Sequence, residues 1–183
     1  MYEIKFYARG GHGAVTAAKI LVNAAIKENK FAQAIPSYGQ ERKGAPVYAF
    51  ARVHNSMIEV KSYVYNPDII MVFDMGLVDL GIDIYEGLKE SSAMVVNSGK
   101  KTMEVDNRIK KLVIVDADHI TREELGDAPP NVAMLGALAR ASDAVSIESL
   151  EEAIKQRIRG KAGESNAKAC RRAYEEAIVI QKA

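Results

Sequence analysis

Asp68-Ile69-Ile70-Met71-Val72-Phe73-Asp74 is an unbroken apolar run of five residues held between two acids. A strand with one wet face alternates, whereas a strand buried on both faces does not, so this run predicts a parallel strand inside an α/β sheet. The same pattern recurs in Ala93-Met94-Val95-Val96-Asn97 and Leu112-Val113-Ile114-Val115-Asp116. Between and around these runs the spacing turns helical. Ala17, Ile20, Leu21, Ala24 and Ala25 mark an amphipathic helix over 14–29, after a strand at Glu3-Ile4-Lys5-Phe6-Tyr7-Ala8. Strands alternating with helices predict an α/β fold: a single three-layer domain over 1–183, with a mostly parallel sheet.

The remaining segments fill in that plan. Phe31 to Ile35 reads as a short strand stopped by Pro36. A strand at 46–53, a turn at His54-Asn55-Ser56 and a returning strand at 57–65 predict an antiparallel hairpin. A helix over 77–90 is interrupted by Gly81 and Gly87. Thr121-Arg122-Glu123-Glu124 matches a capping box that opens a short helix, and an apolar helix follows over 131–142. Ser146 caps a helix over 147–158 in which Glu151 and Lys155 face each other. Gly160 to Gly163 reads as a break before a last helix over 165–180.

Composition excludes several functions. The chain has 183 residues, 48% of them hydrophobic, and a net charge of +1, so it lacks the basic footprint of a nucleic-acid binder. No apolar run approaches the ~20 residues that span a bilayer, and the N-terminus reads as a strand instead of a leader, which predicts a cytoplasmic protein. The single cysteine, Cys170, cannot hold an iron–sulfur cluster, which takes about four ligands. The histidines have no metal-ligand spacing, so no metal site is expected.

Two glycine-bearing loops carry the functional signal. In the first, Arg9-Gly10-Gly11-His12-Gly13 joins a strand to an alanine-rich helix. Glycines let a ligand approach the backbone, a helix N-terminus offers unpaired N–H groups to an anion, and Arg9 adds a fork of donors. In the second, Glu41, Arg42 and Lys43 stand between Gly39 and Gly44, ready to meet a phosphate, a carboxylate or a partner. Asn97, after a buried strand, falls at the carboxyl edge of the sheet, where ligands bind in open α/β folds. The bland reading of the first loop is a tight strand-to-helix turn, and a solvated charge run explains the second equally well by spacing alone. The nicotinamide fingerprint is incomplete, and no acid closes the second strand to hold a ribose. A stand-alone nucleotide-binding oxidoreductase and a purely structural assembly subunit remain as alternatives. No catalytic residue is assigned.

Taken in order, the blocks are specific. Arg9-Gly10-Gly11-His12-Gly13-Ala14-Val15-Thr16-Ala17-Ala18-Lys19 resembles the opening of the gamma subunit of 2-oxoacid:ferredoxin oxidoreductases. Pro36-Ser37-Tyr38-Gly39, then Glu41-Arg42-Lys43-Gly44-Ala45-Pro46-Val47, resembles that family's next block, and Leu135-Gly136-Ala137-Leu138 and the helix from Ser146 also match. Two positions depart: Ala8 stands where glycine is usual, and His12 where glutamine is usual. The likeness is to the pyruvate and 2-ketoisovalerate branch. It implies a non-autonomous subunit of an enzyme that converts a 2-oxoacid and coenzyme A to acyl-CoA and carbon dioxide, with ferredoxin as electron acceptor. It further implies alpha, beta and delta partner subunits that carry thiamine diphosphate and the 4Fe-4S clusters. Arg9, Gly10, Gly11, His12, Gly13, Arg42, Lys43 and Asn97 are then the expected contacts to coenzyme A or to those partners.

Overall fold

A computed structural model describes residues 1–37 and 43–182. The elements run β1 (Tyr2–Arg9), α1 (Ala14–Lys27), β2 (Phe31–Ser37), β3 (Pro46–His54), β4 (Ile69–Val72), α2 (Gly76–Asp79), β5 (Ser92–Asn97), β6 (Ile109–Val115), α3 (Ala117–Leu125), α4 (Asn131–Ala141), α5 (Ile147–Arg157), α6 (Gly160–Glu176) and β7 (Ile178–Gln181). They build a seven-stranded sheet in the order β2-β3-β1-β4-β5-β6-β7. The middle strands β1, β4, β5 and β6 are parallel, as the apolar runs predict, while β3 and β2 on one side and β7 on the other are antiparallel to their neighbours.

The α/β expectation holds, but the two faces of the sheet are covered differently. Ile4, Phe6 and Ala8 of β1 point to one face, where α1, α3, α4, α5 and α6 form the larger core. Ala17, Ala18, Ala24 and Ala25 bring the α1 backbone close to the sheet, because a methyl group is the only spacer. Lys5 and Tyr7 alternate to the opposite face. There α2 and irregular chain supply the cover, with Leu77, Ile84 and Leu88 packed on Ile70, Val72 and Met94. Thus the third layer is mostly non-helical: the helix expected over 77–90 is confined to Gly76–Asp79, because Gly81 and Gly87 take positive φ values of 80° and 72°.

The hairpin expectation is corrected. Residues 57–65 form no strand, and the antiparallel partner of β3 is β2. The reason is geometric: β3 already pairs with β1 on one edge and β2 on the other, so it has no edge left to offer. Instead the 57–65 segment crosses the second face, held by Arg52, which donates to the Ser62 and Tyr63 carbonyls at 2.7 and 3.1 Å. Pro36 does not stop β2, which continues to Ser37; at a sheet edge, a missing N–H costs little.

Several helix ends also move. Asp116 accepts from the His119 N–H and starts α3 four residues before the expected capping box, leaving Thr121 inside the helix, buried, its hydroxyl without a partner among the described residues. Ser146 does cap α5, by accepting from the Ser149 N–H. Glu151 takes Arg171 at 2.6 Å and Lys155 takes Glu164 at 3.0 Å, in place of each other. Gly160–Gly163 belongs to α6, and the chain after Glu176 leaves that helix to form β7 against β6.

One electrostatic tie locks the helical layer. Glu28, the C-cap residue of α1, accepts from the Ser146 N–H at 2.6 Å and pairs with Lys30 at 2.7 Å. Burial alone would raise this carboxyl, but those donors outweigh it and hold its pKa near about 2. A folded pKa below the unfolded one contributes stability that is complete above the ordinary carboxylate value and is lost as pH falls towards 2. Glu28→Gln should therefore lower the melting temperature at pH 7, and the gap from the native chain should close as both are melted at pH values stepping from 5 to about 2.

Candidate functional site

The carboxyl ends of the parallel strands form a crest, and the Arg9 to Gly13 loop sits on it where β1 hands over to α1. Gly11 and Gly13 adopt φ values of 97° and 75°, in the left-handed region that favours glycine. Gly13 is also crowded, since a Cβ there would meet the Asn131 side chain, whereas around Gly11 the space is open. Gly13 is the N-cap residue of α1 and brings no side chain to cap it, and no acid lies in the first turn. Among the described residues no side chain caps the opening amides of α1, so they can face an anion. Beside them runs an open groove of about 220 Å³ lined by Arg9, the glycines Gly10, Gly11 and Gly13, and Ala14, Val15, Thr16 and Val47. That is below the roughly 300 Å³ of a small-ligand pocket and suits one charged group of a larger molecule.

The two sequence loops meet here. Gly10 N–H donates to the Ala45 carbonyl at 2.8 Å, Gly44 N–H donates to the Gly10 carbonyl at 3.3 Å, and Lys43 bridges Gly10 through the backbone. Lys43 is exposed beside the groove. Arg42 lies outside the described residues.

Three of the expected ligand residues have other employment. Strand alternation sends Arg9 to the face opposite α1, where its Nε donates to Asp74 and its Nη1 to the Gly44 carbonyl. Asp74 in turn accepts from Gly76 N–H at 2.8 Å, so the guanidinium is neutralised inside the crest. His12 Nδ1 accepts from Arg9 N–H at 3.5 Å and closes the loop on itself. Asn97 is spent at both ends: its amide donates to the Phe73 carbonyl and Asp118, and its oxygen accepts from the Ala117 and Asp118 amides at 2.9 and 3.3 Å. It joins β4, β5 and α3. Backbone donors, Lys43 and Arg9, which lines the groove while pairing with Asp74, are the groups that can receive an anion. Cys170 is buried between helices, where desolvation pushes its thiol up and away from reactivity. Among the described residues, no group of three His, Cys, Asp or Glu side chains could hold a metal ion.

Sequence reasoning missed a second concavity, about 430 Å³, over Lys5, Tyr7 and Tyr48 on the less covered face. The signal was present: Lys5 and Tyr7 share a parity in β1 that leaves an ammonium and a phenol among apolar neighbours. No helix among the described residues is long and apolar enough to cross a membrane.

Residues 3–176 match the family model described as pyruvate ferredoxin/flavodoxin oxidoreductase. The chain is 48% identical to the "Pyruvate/ketoisovalerate oxidoreductases common subunit gamma" of Pyrococcus furiosus, over 99% of this chain and 100% of that one. Its fold matches the crystal structure of pyruvate oxidoreductase subunit PORC (EC 1.2.7.1) from Thermotoga maritima with a TM-score of 0.84, at 35% identity and 98% coverage of both. A 2-oxoglutarate:ferredoxin oxidoreductase from Magnetococcus marinus, solved with 2-oxoglutarate, coenzyme A and succinyl-CoA bound, matches with a TM-score of 0.73 at 15% identity; all of this chain aligns to 32% of that one.

Proposed function

From the premise that this chain belongs to the pyruvate ferredoxin/flavodoxin oxidoreductase family, we propose that it works as the gamma subunit of a pyruvate or 2-ketoisovalerate oxidoreductase, folded as one domain over 1–183. The observation that carries this reading is the end-to-end likeness, at 48% identity, to a protein named as that subunit. A common subunit implies other subunits. In our reading these are alpha, beta and delta chains that hold thiamine diphosphate and 4Fe-4S clusters, pass electrons to ferredoxin and work in the cytoplasm.

Within that assembly the crest groove holds the anionic end of coenzyme A. Its fit is physical: an uncapped helix start, open space at Gly11, Arg9 in the wall, and an exposed Lys43 bridging Gly10. The backbone amides after Gly13 would hold a phosphate without a proton to lose, and Lys43, with Arg42, would supply charge. When bound, coenzyme A supplies the thiol that accepts the acyl group. This chain's own part is to bind and orient. His12 and Asn97 serve it by fixing the loop and the crest, and Arg9 does so from the wall of the groove itself.

Two measurements test the reading. A tagged chain purified anaerobically from its own cells should have a native mass several times its own and bring thiamine- and cluster-bearing chains with it. A lone chain under conditions that preserve such complexes would return the stand-alone reading. In the complex, Lys43→Ala with Arg42→Ala should raise the KM for coenzyme A about tenfold, roughly 1.4 kcal/mol, with kcat little changed. An unchanged KM would leave the groove to partner subunits.

A further inference from the structure

The two faces of the sheet differ in how they meet water. On the helical side the surface is closed by paired charges, such as Arg171 with Glu148 and Glu151, and Arg172 with Glu123, Glu124 and Glu176. Its prominent exposed apolar side chain is Ile26 of α1, 57% exposed. The second face carries Phe31, Val60, Tyr63, Tyr65, Val78 and Leu80, all substantially exposed. Phe31 shares the face of Arg52 through the β2–β3 register, Tyr63 stacks on Phe50 at 4.9 Å, and Val78 and Leu80 flank the buried Leu77. A cluster of large apolar groups on one side of a fold marks an interaction site.

Between these groups lies the 430 Å³ concavity, with Lys5, Tyr7, Tyr48 and Phe50 as floor and Asp83 and Glu86 as rim. Its electrostatics are one-sided. The Lys5 ammonium lies 4.8 Å from the Tyr7 ring centre and reaches Glu86 at only 3.6 Å; the Glu86 side chain is 75% exposed. Asp83 accepts from the Tyr85 N–H and makes no ion pair among the described residues. Lys5 thus faces two carboxylates, with the Arg108 guanidinium, itself paired with Asp106, acting on Asp83 from the side. The Tyr7 hydroxyl is buried beneath them with no partner among the described residues. A buried polar group left unpaired is costly, which marks the cover above it as incomplete.

We propose that this second face is where the chain docks on a different subunit of its complex, one that places a cationic side chain against Asp83 and Glu86 over the Tyr48 ring and apolar groups against Val78, Leu80 and Tyr63. The inference rests on the subunit reading above and adds its orientation: the helical layer faces outward and the irregular layer faces the partner. Aromatic floors and acidic rims favour a guanidinium, which stacks on a ring while pairing with a carboxylate.

The experiment uses the complex made by co-expressing the chain with its neighbouring subunits. Val78→Lys with Leu80→Lys introduces like charge at two exposed positions; it should cut the co-purified partner at least tenfold while the free chain melts as before. Ile26→Lys should leave assembly unchanged. Asp83→Asn with Glu86→Gln should weaken assembly several-fold and flatten its salt dependence. Without any variant, amide exchange over 57–65 and 77–86 should slow on assembly. Full assembly of the double lysine variant, or protection confined to α1 and α5, overturns the proposal. So does a free chain that is a dimer and becomes a monomer in that variant, since a second copy would then cover the face. A native chain that retrieves no other subunit instead tells against the subunit reading itself.

Discussion

Gly136→Ala should destabilise the fold by about 3 kcal/mol, although alanine is the better helix former. Two effects oppose each other at this position. Helix propensity alone would gain about 1 kcal/mol. The added methyl, however, would fall inside the contact envelope of the Cys170 carbonyl oxygen and within 3.1 Å of the Tyr174 nitrogen. Both obstacles are backbone of α6, held by its own hydrogen bonds, so neither can rotate aside. Overlap therefore outweighs propensity, and α4 and α6 must separate. For a chain of this size that loss lowers the melting temperature by roughly 6–12 °C. Paired urea and thermal melts measure it; an equal or higher melting temperature would mean that the two helices slide apart freely.

Arg52→Met comes next in size. The Arg52 side chain is 2% exposed; its Nε donates to Glu3 at 2.9 Å, and its remaining nitrogens hold the Ser62 and Tyr63 carbonyls. Methionine fills much of the volume but leaves the Ser62 carbonyl without its donor, the Tyr63 carbonyl with only the Ser62 hydroxyl, and Glu3 with only Lys89 among the described residues. Breaking a buried pair from one side costs about 3–5 kcal/mol. Because Lys89 still reaches Glu3 at 3.0 Å, the lower end, about 3 kcal/mol, is expected. Burial alone would raise the Glu3 carboxyl, but Arg52 and Lys89 keep it below its ordinary value, so part of the loss should disappear in acid. Amides of residues 60–65 should exchange faster in the variant, which separates detachment of this segment from general loosening.

What the chain discloses by inspection follows the range of the forces involved. Ile69–Val72, Ser92–Asn97 and the α1 repeat are set by local periodicity, and the structure has them where pattern reading puts them. The 57–65 segment misleads because its fate depends on whether β3 has a free edge, which no local pattern states. β7 hides at the end of a helical run because its pairing with β6 is long-range. The candidate site is legible to the same extent. The meeting of the two glycine loops follows from β1 and β3 being neighbours. The bonds that engage Arg9 and Asn97 do not, because a donor's vacancy depends on Asp74, Phe73 and Asp118, which only the tertiary fold brings near.

The enclosure of α4 has a consequence for how the molecule breathes. Val132, Ala133, Met134, Leu135, Gly136, Ala137 and Leu138 are all buried in sequence, so α4 has no solvent side until its last turn at Ala139 and Arg140. It cannot fray independently: to expose one of its amides, the helical layer above it must lift from the sheet. Its opening free energy therefore approaches that of the whole fold, whereas the irregular second layer, tied by side chains to carbonyls, can open piecemeal at much lower cost. Amide exchange should therefore be slow in α4 and fast in the irregular layer.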